Sequence, residues 1–219
     1  DLRTSRGLGD VYKRQALSRA DSHFQSSWDD AVADWESISN KVGSSEGANE
    51  QECREMVANG IRMHIDQVEA CMRAGGGPHA ESWRLGKHRH NWPAPDGFPR
   101  VWEEPHPCAQ EPGSEVSWCE AWELARPWFV DPDSGSFTQT TSHPEGWFQG
   151  EYDLVYRWTG KPSVIDIKAS KGKGDRSGGY IEQLRLYAWL WWETHNRAEE
   201  VESLGIWYLG PGSVKEVPL

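Results

Sequence analysis

Asp166 and Lys168 stand two residues apart in the run SVIDIKA, residues 163–169, whose β-branched content makes it the most strand-like short stretch of the chain. Side chains alternate along a strand, so the two would share one face while Ile165 and Ile167 turn to a core. A carboxylate and an ammonium on an otherwise apolar strand are costly unless paired or solvated. Asp153 lies on the preceding strand-like stretch, where Phe148, Tyr152, Leu154 and Tyr156 alternate with Gln149, Glu151, Asp153 and Val155. Thr159-Gly160-Lys161-Pro162 reads as a turn between the two, so they form a hairpin and Asp153 can approach Asp166 across it. Two carboxylates brought together repel, and an oxygen-seeking cation such as Mg²⁺ is what makes that arrangement favourable. A structural ion pair is the competing reading of Asp166 and Lys168 taken alone.

The elements that must position these groups are legible from periodicity. Phe24, Trp28, Val32, Trp35 and Ile38 recur at helical steps, with an acidic opposite face. A Gly/Ser stretch at 43–47 separates this helix from a second, whose stripe is Cys53, Met56, Val57, Gly60, Ile61, His64, Val68 and Cys71; Gly75-Gly76-Gly77-Pro78 ends it. A lone His on such a stripe is more often a hydrogen-bonded core residue than a ligand. Residues 75–113 are rich in Pro, Gly, His and Trp, lack a period and read as a loop-rich insertion. Val116, Trp118, Glu120, Trp122 and Leu124 alternate as a strand would. After SVIDIKA, the glycine-rich basic loop at 171–179 carries Lys171, Lys173 and Arg176, which suit contact with a DNA backbone or a solvated surface equally. A third helix follows with Tyr180, Leu184, Tyr187 and Trp191 on one side, and a last strand at 204–209. Gln183 and Tyr187 are one helical turn apart, so both can point the same way. The expected order is α-β-β-β-α-β, an α/β fold with a small mixed sheet flanked by helices.

Taken in order, Gly60-x-x-x-His64, Gly150-x-x-Asp153, Asp166-Ile167-Lys168 and Gln183-x-x-x-Tyr187 resemble the RecB-type branch of the PD-(D/E)XK nuclease superfamily, which includes phage exonucleases and the CRISPR-associated adaptation nuclease. The likeness spans about 48–209, with 75–113 unmatched. It implies a restriction-endonuclease-like core. It implies His64, Asp153, Asp166 and the Ile167 carbonyl as ligands of Mg²⁺ or Mn²⁺, and Lys168 as the group that orients or helps deprotonate the attacking water. Gln183 and Tyr187 would hold Lys168, the scissile strand or each other. The activity implied is metal-dependent hydrolysis of DNA phosphodiesters, by an exo- or endonuclease of DNA repair, recombination or phage and CRISPR DNA processing. Its DNA would be single- or double-stranded, entered from ends, with a helicase or recombination protein as a further partner. Some members of that branch hold an iron–sulfur cluster with one upstream and three C-terminal cysteines; no Cys follows Tyr187 here, so none is expected in this chain.

Composition sets the outer limits. The 219 residues suffice for one domain with a sizeable core. Residues 1–15 resemble translated adapter sequence and are expected to be a non-native leader, leaving a single domain over 16–219. The net charge of −11 argues against a histone-like coat on nucleic acid, but it is uneven. Residues 21–60 hold nine acids against Lys41 and Arg54, whereas 161–190 hold six bases against Asp166, Asp175 and Glu182. The longest apolar run, 187–192, is far short of a membrane span. Four scattered cysteines suggest a reducing, cytoplasmic setting, that of the host cell for a phage protein. His88, His90, His106, Cys108 and Cys119 are zinc-type ligands at poor spacing. Two alternatives to a nuclease follow: an inactive DNA-binding or assembly module of the same fold, and a zinc-stabilised interaction domain.

Overall fold

A computed structural model of the chain describes residues 2–38, 49–85, 106–125, 140–170 and 177–219. Eleven elements are found there. They are helices α1 (Leu2–Ser37), α2 (Glu50–Ala74), α3 (Gly77–Arg84) and α4 (Trp118–Leu124), strands β1 (Thr140–Ser142), β2 (Gln149–Glu151), β3 (Leu154–Tyr156) and β4 (Ser163–Lys168), helix α5 (Ser177–Thr194), and strands β5 (Ser203–Tyr208) and β6 (Ser213–Val217). This is the expected α/β class with a small mixed sheet. The main sheet runs β3-β4-β5-β6: β3 is antiparallel to β4, β4 is parallel to β5, and β6 closes antiparallel on β5. Helix α5 is the crossover that a parallel β4–β5 pair requires. Strands β1 and β2 form a separate antiparallel hairpin.

Each face of the main sheet has its own core. Val155, Val164, Leu204 and Ile206 meet Leu184, Leu190 and Trp191 of α5 on one face. On the other, Leu154, Tyr156, Ile165 and Trp207 meet Met63 of α2. The alternation of β3, β4 and β5 therefore decides which helix each side chain sees. A third cluster joins α2, α3 and α4 through Val68, Cys71, Trp83, Ala121 and Leu124.

Helix α2 has the expected bounds for local reasons. The Asn49 side chain accepts from Glu52 N–H (3.0 Å) at its start, and Gly75 in the left-handed conformation ends it, with the Gly75 and Gly76 amides donating to Met72 and Cys71. Residues 2–15 continue into α1, and Tyr12 stacks on Trp118 with centroids 5.5 Å apart.

Three expectations are corrected. The alternation at 116–124 belongs to helix α4, because Ser117 and Glu120 form a reciprocal capping box that satisfies the first-turn amides. The stretch from 75 is not all loop: α3 starts there, with Pro78 in its first turn, where no N–H is missed. The strand expected around Asp153 is interrupted, β2 pairing with β1 and β3 with β4. The edge strand β6 was not anticipated.

Candidate active site

The hairpin of β3 and β4 places the central pair. Leu154 lies opposite Ile165, so Asp153, one residue before β3, comes opposite Asp166. The Asp153 carboxylate accepts the Ile167 N–H at 2.6 Å. In a strand, one residue's N–H and C=O point to the same flank, so the Ile167 carbonyl is directed towards Asp153 as well. Asp166 is buried, 5% exposed, and lies beside Ile206 of β5 on the α5 face. Lys168 Nζ donates to Asp166 Oδ1 at 2.9 Å. The same nitrogen is 2.8 Å from Oδ2, yet outside hydrogen-bond geometry, so that buried oxygen receives no hydrogen bond. The ammonium also sits 4.5 Å from the centroid of the Tyr180 ring on α5, a cation–π contact.

Charge explains how these groups titrate. Burial pushes the Asp166 carboxyl above the ordinary carboxylate range; Lys168 opposes this and the like charge of Asp153 adds to it. Burial alone would lower Lys168, but its bond to Asp166, with Asp153 and Tyr180 as further negative or polar neighbours, raises it instead. Lys168 is thus a firmly held cation against two crowded carboxylates.

Gln183 and Tyr187 come together as their spacing predicts: Gln183 Nε2 donates to Tyr187 Oη at 2.7 Å. The Tyr187 ring packs against Gly150, where a Cβ would come within 2.9 Å of Tyr187 Cε1 and of Leu190 Cδ2. That close approach is the physical reason for a glycine three residues before Asp153.

His64 is not brought to the carboxylates. It lies on α2, which covers the face of Leu154, Tyr156 and Ile165, whereas Asp166 and Lys168 face α5. Its Nδ1 is 3.0 Å from Tyr156 Oη and its ring meets Trp122 edge-on at 5.1 Å. Burial pushes its pKa down to about 4, so it is neutral. Among the described residues no three His, Cys, Asp or Glu side chains gather where they could share an ion. Of the expected ligands, Asp153, Asp166 and the Ile167 carbonyl thus come together, and His64 lies apart from them. These three fit a hard divalent cation: they are all oxygen donors, two are crowded like charges, and one buried oxygen accepts no hydrogen bond, although the Lys168 ammonium stands 2.8 Å from it. His64 instead lines a cavity of about 780 Å³ with Trp118, Trp122, Tyr156, Trp207 and Met56.

Lys171, Lys173 and Arg176 lie outside the described residues, as do His88 and His90. His106 Nδ1 is 3.0 Å from Cys108 Sγ and accepts the Cys108 N–H at 3.3 Å. Cys119 is an exposed thiol and all four cysteines are free.

Sequence reasoning overlooked the buried pair that organises the 106–125 region. Arg84 donates to Glu120 through Nε (2.7 Å) and Nη2 (3.0 Å). Glu120 also accepts the amides of Gln110 (2.8 Å) and Ser117 (3.0 Å). Burial would raise the Glu120 carboxyl, but Arg84 and those amides hold it below its ordinary value. The Ser117-x-x-Glu120 spacing was the available signal.

A sequence model of the PD-(D/E)XK nuclease superfamily matches residues 31–218, most of the chain. No curated protein matches, and neither does any solved structure. Among the described residues no helix is long and apolar enough to cross a membrane.

Proposed function

This chain belongs to the PD-(D/E)XK nuclease superfamily, and from that premise we propose that it hydrolyses DNA phosphodiesters with Mg²⁺ or Mn²⁺ at Asp153, Asp166 and Lys168. The observation that carries the reading is the pairing of two carboxylates beside a buried, lysine-bound strand, an arrangement a purely structural domain has no need to keep. Asp153, Asp166 and the Ile167 carbonyl would hold the cation, which when bound polarises the phosphate, lowers the pKa of water and stabilises the leaving oxygen. Lys168, fixed by Asp166 and Tyr180, stands to orient the attacking water and to offset charge as it develops on the phosphoryl oxygens. Gln183 and Tyr187, bonded to each other, position the strand or Lys168 from α5. The order of the four motifs favours the RecB-type branch, and with it DNA ends as substrate.

The test is cleavage of linear single- and double-stranded DNA with Mg²⁺ or Mn²⁺, and with chelator as control. The wild type is expected to cut only with metal. Asp166→Ala is expected to abolish cutting, and Lys168→Ala to slow it by about 10²- to 10⁴-fold. Equal rates in the three proteins would overturn the assignment, and no cutting by the wild type would favour an inactive DNA-binding module instead.

A further inference from the structure

The β1–β2 hairpin ends in a group of rings for which the hydrolytic machinery has no use. Trp147 is 63% exposed. A single exposed apolar side chain needs no explanation; here, however, the indole is braced. Its centroid is 4.9 Å from His143, 5.4 Å from Trp189 and 6.0 Å from Phe148. His143 in turn stacks on Trp189 at 5.3 Å with the planes 11° apart. The turn beneath is fixed by three bonds: the His143 amide to the Phe148 carbonyl (2.8 Å), the Gly146 amide to the His143 carbonyl (2.7 Å) and the Glu145 amide to His143 Nδ1 (3.1 Å). Phe148 and Trp189 already anchor the hairpin to α5 through the main core, so the outward ring of Trp147 is spare. A rigid aromatic surface loses little freedom when a second flat ring settles on it.

Its position relates it to the carboxylates. The hairpin runs through Gly150 directly into Asp153, and Trp189 belongs to the helix that carries Gln183 and Tyr187. Gln183, Leu186 and Trp189 form an i, i+3 row winding along α5, with Leu186 49% exposed. From Gln183 to Trp189 the helix rises about 9 Å, the length of roughly two to three stacked nucleotides. A flat, exposed and preorganised ring against the Trp189 end of that row suits a nucleobase, because every base has a face to stack whatever its identity.

We propose that Trp147, backed by His143 and Trp189, is a stacking platform for an unpaired base of the DNA strand held at the Asp153–Asp166 site. The inference rests on the nuclease reading and adds to it a preference for single-stranded or unpaired DNA near the scissile bond.

The test measures binding of fluorescein-labelled oligo(dT) and of a blunt G·C-ended duplex by anisotropy, with Ca²⁺ replacing Mg²⁺ and the probe checked for integrity on a gel. Wild type, Trp147→Ala, Trp147→Leu and Trp147→Phe are compared, with circular dichroism to verify folding. Trp147→Ala and Trp147→Leu are expected to bind oligo(dT) roughly 5- to 100-fold more weakly, Trp147→Phe to keep most of the affinity, and the duplex to bind all four alike. Unchanged oligo(dT) affinity in the Ala and Leu variants, an equal loss on the duplex, or no binding of oligo(dT) by the wild type would each overturn the platform. Metal-dependent cleavage by the wild type, measured separately, decides the nuclease reading, so either can fail alone.

Discussion

Replacing Glu120 by Ala removes the acceptor around which the 106–125 region is folded. The carboxylate is fully buried and the Arg84 side chain is 1% exposed, so the deletion takes the bidentate partner from a guanidinium that water cannot reach. Arg84 retains Glu81 (2.8 Å) and the Ser114 carbonyl (3.0 Å), which covers Nη1 but leaves Nε without a partner. The amides of Gln110 and Ser117 lose their acceptor too. Breaking one side of a buried pair costs about 3–5 kcal/mol, and in a domain of this size that lowers Tm by roughly 6–20 °C. Pairing Arg84→Met with Glu120→Leu removes the under-bonded buried charge but not the two unbonded amides, at about 1 kcal/mol or more each. The double variant is therefore expected between the single variant and the wild type. Urea and thermal unfolding followed by circular dichroism measure both. A Glu120→Ala protein within about 1 kcal/mol of wild type, or a double variant less stable than the single, would refute the claim that charge burial is what the pair opposes.

Further outcomes follow from the same geometry. His64 is neutral in the folded chain with a pKa of about 4, against about 6.5 when unfolded. Below pH 6.5 the unfolded chain binds a proton the folded one refuses, so stability is complete above that pH and is lost as it falls towards 4, by about 3 kcal/mol at most. Urea unfolding at several pH values should show a shallower acid loss in His64→Gln than in wild type; identical slopes would count against the burial of this ring. Gly150→Ala places a Cβ 2.9 Å from both Tyr187 and Leu190, an overpacking of about 1–3 kcal/mol. A lowered Tm checks it, and an unchanged one would mean that α5 is not seated on β2 as described.

The parts of the site that were legible are those fixed by local period. Alternation along SVIDIK placed Asp166 and Lys168 on one face, and the turn at 159–162 brought Asp153 opposite, as the β3–β4 register shows. The four-residue step of Gln183 and Tyr187 likewise becomes a hydrogen bond on α5. What failed depended on tertiary choice. Helical spacing put His64 on the inward stripe of α2, but nothing in the stripe says which face of the sheet that helix covers. The 116–124 run supports both a two-residue and a helical pattern, and only the Ser117–Glu120 capping box, together with the buried partner Arg84, decides for the helix. Strand β6 is mostly exposed and polar, so it carries almost no hydrophobic signal. Fourteen scattered tryptophans gave no hint that Trp147 and Trp189, far apart in sequence, would meet around His143.

The central claim, that Asp153 and Asp166 form one cation site, is tested most directly by Mn²⁺ titration calorimetry on the wild type, Asp153→Asn and Asp166→Asn, each verified as folded. Saturable binding by the wild type, abolished by either substitution, is the expected result. Mn²⁺ binding of unchanged affinity and stoichiometry in both variants would contradict it.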